Sequence, residues 1–189
     1  MRRAGPPQAS NSAPAGGSAA AKPQAWGDHI RRSLWFWLGA SAAVLVADQL
    51  SKWALIGTLR PGDERVVTPF FSLVLTFNTG AAFSFLRDAG PWPRYLFSAV
   101  AIAVAALIVW LLRRGGDAWY CAGLALILGG GLGNLYDRLT LGHVVDFLLF
   151  HWQHWYYPAF NVADSAITVG AALLIIDSLR PRRKDRAPA

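Results

Sequence analysis

"FNVADSAITVGAALLIIDSL", residues Phe160 to Leu179, has the length and apolarity of a helix that crosses a bilayer, yet Asn161 and Asp164 lie in its first turn. Three residues apart, they share one face of that helix. An ionisable residue at the centre of a membrane helix costs about 2.5 to 3.5 kcal/mol on insertion scales, and less toward the ends, so its presence implies a partner or a task. Where the other such residues of the chain fall decides between the two.

Three more apolar stretches precede this one, at about 34–53, 94–112 and 118–139. Each approaches the ~20 residues that a helix needs to cross the hydrocarbon at 1.5 Å per residue. Over all 189 residues the chain is 54% hydrophobic with a mean hydropathy of +0.31, more than a soluble globular protein usually carries. The expectation is an all-α membrane protein with four transmembrane helices. "IRRSLWFWLGASA" (30–42) has the look of a signal-peptide start, but its apolarity continues to Val46 and three further spans follow, which argues against a cleaved leader. Residues 1–28, rich in Ala, Gly, Pro, Ser and Gln, are expected to form a disordered cytoplasmic tail. Residues 29–180 hold the helices, and 181–189 form a basic tail.

The net charge of +7 finds its explanation in topology. Arg31 and Arg32 precede the first helix, Arg113 and Arg114 separate the second from the third, and Arg180, Arg182, Arg183, Lys184 and Arg186 follow the fourth. Thr140 to Ala159 has neither Lys nor Arg. The positive-inside rule then puts both termini in the cytoplasm and the 1–2 and 3–4 connections outside. No nucleic-acid partner is expected, since no binding motif is present. The single cysteine, Cys121, excludes an intrachain disulfide or a multi-cysteine metal site and suits packing.

The outer connections have their own character. "ERVVTPFFSLVLTFNTGAAFSFL" (64–86) offers β-branched and aromatic residues broken by Pro69 and Thr79-Gly80, the pattern of a short strand pair or small sheet. "HWQHWYYPAF" (151–160) is rich in the aromatic residues that settle at the headgroup interface, and reads as a membrane-hugging loop.

On this topology the unusual polar residues converge. Asp48 and Lys52 come late in the first helix, Asn134, Asp137 and Arg138 late in the third, Asn161 and Asp164 early in the fourth, and Asn78 and Asp146 in the outer connections. All of them lie on the outer side. Asp48 and Lys52, an i, i+4 pair, can neutralise each other, and Arg138 can snorkel. "GGGLGNL" (129–135) fails the dinucleotide-loop pattern, and Gly129 with Gly133 instead offers a face for close helix approach. His143, His151 and His154 lack the spacing of a zinc protease helix, so no metal and no cofactor is expected.

Asp146, flanked by "VV" and "FLLF", and Asp164, within a helix, should both be poorly solvated. Two carboxyls brought together in such a place cannot comfortably both ionise, and one shared proton gives the acid and base of aspartic-protease chemistry. A transport pathway and a structural subunit that uses Asp and Asn to join helices remain alternatives. The first needs polar steps across the whole bilayer, and the inner helix halves offer almost none; the second leaves the convergence unexplained.

Five blocks, "VADQLSK" (46–52), "FNTGAAFSFL" (77–86), "GGGLGNLYDRL" (129–139), "VVDF" (144–147) and "PAFNVADSAI" (158–167), resemble in identity and order those of bacterial lipoprotein signal peptidase, signal peptidase II. The resemblance covers about residues 34–179 and departs at Gly131, where alanine is commoner. It implies a membrane aspartic endopeptidase that cuts prolipoproteins N-terminal to a diacylglyceryl-modified cysteine, with membrane lipids as its surroundings and no cofactor. It also implies a monomer in the bacterial inner membrane with its site on the periplasmic or outer face, and a small β-cradle between helices 1 and 2. It places the dyad on Asp146 and Asp164, with Asp48, Lys52, Asn78, Asn134, Asp137, Arg138 and Asn161 as substrate-binding or supporting residues.

Overall fold

The computed structural model describes residues 24–79 and 92–180, with side chains from residue 34 onward. The terminal tails up to residue 23 and from 181 on, and most of the "FNTGAAFSFL" block, lie outside the described residues. Four helices form, α1 (Gln24–Ile56), α2 (Trp92–Arg114), α3 (Ala118–Thr140) and α4 (Val162–Leu179), and each contains a stretch long and apolar enough to cross a membrane. The backbone of α1 is already helical at Gln24, ahead of the position where the domain was expected to begin.

The third helix is the hub. In its most apolar window 56% of the residues are buried, against 11% to 17% in the other three. Glycines make this possible by letting neighbouring backbones come within contact. A Cβ on Gly129 would stand 2.5 Å from the Ser41 carbonyl oxygen of α1, and one on Gly130 would stand 2.4 Å from the Ala163 oxygen of α4. Two turns nearer the start of α3, Gly123 faces Gly170 of α4, each Cβ position lying within 2.8 Å of the other's carbonyl oxygen. The glycine run thus packs against two helices at once, with Gly129 facing α1, Gly130 facing α4, and Gly133 lying over the Asp48 carboxylate. Ser41 adds a hydrogen bond from its Oγ to the Ala125 oxygen, 2.9 Å. An apolar cluster of Ile108, Leu112, Cys121, Leu124 and Leu128 fills the space between the C-terminal part of α2 and the N-terminal part of α3, and Cys121 is buried there as a packing residue.

The expected strand pair exists as β1 (Glu64–Thr68) and β2 (Phe71–Asn78), but the sheet is larger than the 1–2 connection. The 3–4 connection supplies β3 (Val144–Trp152) and β4 (Trp155–Tyr156), giving an antiparallel order β1-β2-β3-β4. The segment read as an aromatic loop is therefore largely a hairpin, turned at Gln153 with φ of 53°. Chain reversal after α3 depends on Gly142, whose φ of +82° and N–H bond to the Asp137 carbonyl, 3.2 Å, form a left-handed helix terminus. Two residues later β3 begins, so the strand returns directly across the C-terminal end of α3.

Candidate active site

The two carboxylates arrive on different kinds of element. Asp146 sits on β3, opposite Thr76 of β2, in a run of four buried residues, Val144 to Phe147. Asp164 is the third residue of α4, where its own helix needs a hydrogen-bond acceptor. Asn161 caps that helix: its Oδ1 accepts the Asp164 N–H at 2.9 Å, and the Asp164 Oδ2 accepts the Asn161 N–H at 3.3 Å. This reciprocal capping box satisfies two of the amides that a helix start leaves open, and it fixes Asp164 as a side effect.

Asn161 also joins the two acids. Fully buried, it donates from Nδ2 to Asp146 Oδ1 at 2.7 Å, with the Val145 oxygen at 3.2 Å and Asn134 Oδ1 at 3.1 Å. Asn134 in turn donates from Nδ2 to Asp164 Oδ1 at 2.8 Å. Asn78 of β2 donates to Asp146 Oδ2 at 3.1 Å. All four oxygens of the pair therefore accept from an amide N–H. Burial is the main cause that pushes the Asp146 carboxyl up to about 7. The Asn78 hydrogen bond opposes it, the nearby Asp164 charge adds to it, and the Asn161 bond and Lys52 oppose it further.

Behind the pair lies a buried ion cluster. Lys52 Nζ reaches Asp48 Oδ2 at 2.7 Å, Asp137 Oδ2 at 2.8 Å and Asn134 Oδ1 at 3.2 Å. Asp48 Oδ1 accepts the Ala163 N–H, 2.9 Å, and Asp137 Oδ2 accepts the Val145 N–H, 3.2 Å. Sequence reading missed Gln49, whose Nε2 donates to Asp137 Oδ1 at 2.9 Å and lies within reach of Asp48 and the Gly133 oxygen. Its one visible signal was adjacency to Asp48. Asp48, Lys52, Asn78, Asn134, Asp137, Asn161, Asp146 and Asp164 are thus joined in one hydrogen-bonded network spanning five elements. Arg138 stands at its edge, donating to the Asn134 carbonyl oxygen at 3.3 Å and lying over the Phe97 ring at 5.5 Å. Its Nε is buried without a partner among the described residues.

A groove of about 320 Å³ between α2, α3 and α4 opens onto this network. Its walls are apolar, including Phe97, Ala101, Ile108 and Leu128, and its polar lining consists of Asn134, Arg138 and Asp164. Gly131 faces the groove with open space around it, so an alanine at this position would fit. An extended apolar segment lying in the groove would present its polar backbone to one of the two acids.

The comparisons agree with this architecture. A family model described as signal peptidase (SPase) II matches residues 40–180. A lipoprotein signal peptidase of Pseudomonas fluorescens (strain Pf0-1) is 54% identical over 160 residues, covering 82% of this chain and 93% of the relative. Its counterpart from Pseudomonas aeruginosa (strain UCBPP-PA14) is 52% identical over 164 residues, covering 85% and 96%. A solved bacterial membrane enzyme superposes with a TM-score of 0.71 at 27% identity, over 82% of this chain and 94% of that one. Four membrane-length helices, a small antiparallel sheet and matched sequence over residues 40–180 together establish that the chain belongs to the signal peptidase II family.

Proposed function

We propose that Asp146 and Asp164 form the catalytic dyad of a membrane aspartic endopeptidase that removes signal peptides from prolipoproteins. The observation that carries this reading is their shared anchoring: one asparagine, Asn161, bonds both carboxyls beside an apolar groove. Asp146, pushed up to about 7, holds the shared proton, and Asp164 acts as base. Asp164 takes a proton from a water, whose oxygen bonds to the scissile carbonyl carbon while Asp146 gives its proton to the carbonyl oxygen. The resulting gem-diol then collapses. The C–N bond breaks, a proton passes from the dyad to the leaving nitrogen, a diol proton returns to the dyad, and one proton is again shared.

The groove takes the signal segment laterally from the bilayer, leaving the diacylglyceryl-modified cysteine at the interface. Asn134 is already engaged by Lys52, Asn161 and Asp164, so Arg138, with donors to spare, is the stronger candidate to hold substrate carbonyls. The positive-inside distribution supports cytoplasmic termini and an active site on the outer face of the inner membrane. One copy supplies dyad, supporting network and groove, so the proposed reaction needs no residue from a second chain.

Asp146→Asn and Asp164→Asn should each abolish cleavage of a diacylglyceryl-modified prolipoprotein in detergent while leaving insertion and helix content intact. Near-normal processing by either variant refutes the dyad. An unmodified precursor should be cut poorly, and equal rates would remove the role assigned to the lipid.

A further inference from the structure

Lys52 has three N–H donors, and each ends on an acceptor that holds part of the dyad. One meets Asp48, whose other oxygen accepts the N–H of Ala163, the residue directly ahead of Asp164. The second meets Asp137 at the same oxygen that accepts the N–H of Val145, the residue directly ahead of Asp146. The third meets Asn134 Oδ1, whose amide nitrogen donates to Asp164. The side chain of Lys52 is 3% exposed and those of its acid partners 0% and 1%. Neutralising one buried acid needs one base; two acids around one base leave a surplus buried charge, a costly arrangement if stability were its only use.

We infer that Lys52 is a positioning residue of the peptidase reaction, setting the spacing of the two dyad carboxyls and the direction of the amides that hold them. Through Asp48 and Asp137 it fixes the peptide groups that precede the two acids, one on α4 and one on β3. An ammonium can only donate, so Asn134 must turn its carbonyl toward Lys52 and its N–H toward Asp164. Asn134 Oδ1 then also accepts from Asn161 Nδ2, which turns the N–H end of Asn161 toward Asp146. One cation thereby determines which way two asparagines face, and each of them donates to one dyad oxygen. The inference rests on the dyad reading above.

The test measures kcat, KM and the pH profile of Lys52→Gln on a lipid-modified prolipoprotein in detergent. Because this variant leaves two buried acids without a cation, Asp48→Asn/Lys52→Gln is prepared beside it, with the net charge of the cluster unchanged, together with Lys52→Arg. In the folded enzyme kcat should fall about 10- to 100-fold, the scale of a misplacement near 1 Å, with KM within about threefold. The alkaline limb of the profile, which reports loss of the Asp146 proton, should move to higher pH. The groups that face Asp146 are Asp164 of α4 and its cap Asn161, Lys52 of α1, Arg138 of α3 and Asn78 of β2, and losing Lys52 removes one influence that holds Asp146 down. Lys52→Arg, which keeps charge and donors, should recover part of kcat. A variant that only melts earlier, with kcat per folded enzyme and the alkaline limb both unchanged, overturns the inference. Failure of the dyad itself would register differently, as cleavage by Asp146→Asn or Asp164→Asn.

Discussion

Gly130→Ala tests whether the α3–α4 contact sets the chemistry. The added Cβ would lie 2.4 Å from the Ala163 oxygen and 3.1 Å from its carbonyl carbon, where ordinary contact begins at 3.4 Å. Ile167 Cγ1, at 2.9 Å, can turn aside, but the two Ala163 atoms are backbone that no rotamer change relieves, so α4 must move away by about 1 Å at the residue that precedes Asp164. A shift of that size at a reacting group costs about 100-fold in rate, and overpacking of this kind costs about 1–3 kcal/mol of stability. Gly131→Ala is the matched control: one residue along the same helix, its Cβ meets nothing within 4 Å. Both variants, purified in detergent, are compared by cleavage of a lipid-modified prolipoprotein and by thermal unfolding. Gly130→Ala should lose about two orders of magnitude in kcat while Gly131→Ala stays within about twofold of the parent. Equal effects at the two positions, or a Gly130→Ala enzyme of normal kcat, would refute the claim that this contact positions Asp164.

Two further outcomes follow from the site. A carboxyl pushed up to about 7 in the folded protein binds its proton more tightly there than in the unfolded chain. Its contribution to stability is fully present below about pH 4 and is lost as pH rises through about 7. The melting temperature of the parent should therefore decline across that window relative to Asp146→Asn, and parallel curves would contradict the buried state of Asp146. Gln49→Ala removes the donor to Asp137 Oδ1, so the melting point should drop by an amount equivalent to about 1–3 kcal/mol for an unsatisfied buried acceptor. The Asp146 and Asp164 bonds do not involve Gln49, so its loss of kcat should stay below that of Gly130→Ala, as the same cleavage assay reads out.

The helices were legible because hydrocarbon leaves a strong mark on composition: four long apolar runs need no partner to be recognised. The meeting of Asp48, Lys52, Asn134, Asp137, Asp146, Asn161 and Asp164 was legible for the same reason, since an ionisable residue in such a run stands out and alternating helix directions put them on one side. The sheet was only half legible. Strand β3 has four consecutive buried residues, Val144 to Phe147, so the alternation that marks a strand is absent, and its partner β2 lies across two helices of intervening sequence. Gln49 could not be singled out, because a lone amide beside Asp48 reads the same whether it faces α3 or lipid. The peptide N–H groups of Val145 and Ala163, which every residue type carries, were invisible in principle. The glycine run was read as a single close-packing face, and only the structure divides it between α1, α4 and the open groove.

The saturation of the proposed dyad bears on what could block it. Each carboxyl oxygen already takes one N–H from the protein, from Asn161, Asn78 and Asn134. A ligand rich in acceptors would meet oxygens and no free proton beyond the shared one, whereas a compact hydroxyl can give a proton to one acid and accept from the other. An inhibitor for this enzyme should accordingly carry an isolated hydroxyl on an apolar stem shaped for the α2–α3–α4 groove. A bulkier group that tried to take both oxygens of Asp164 would compete with the cap of α4 and would have to unravel the first turn of that helix in order to bind.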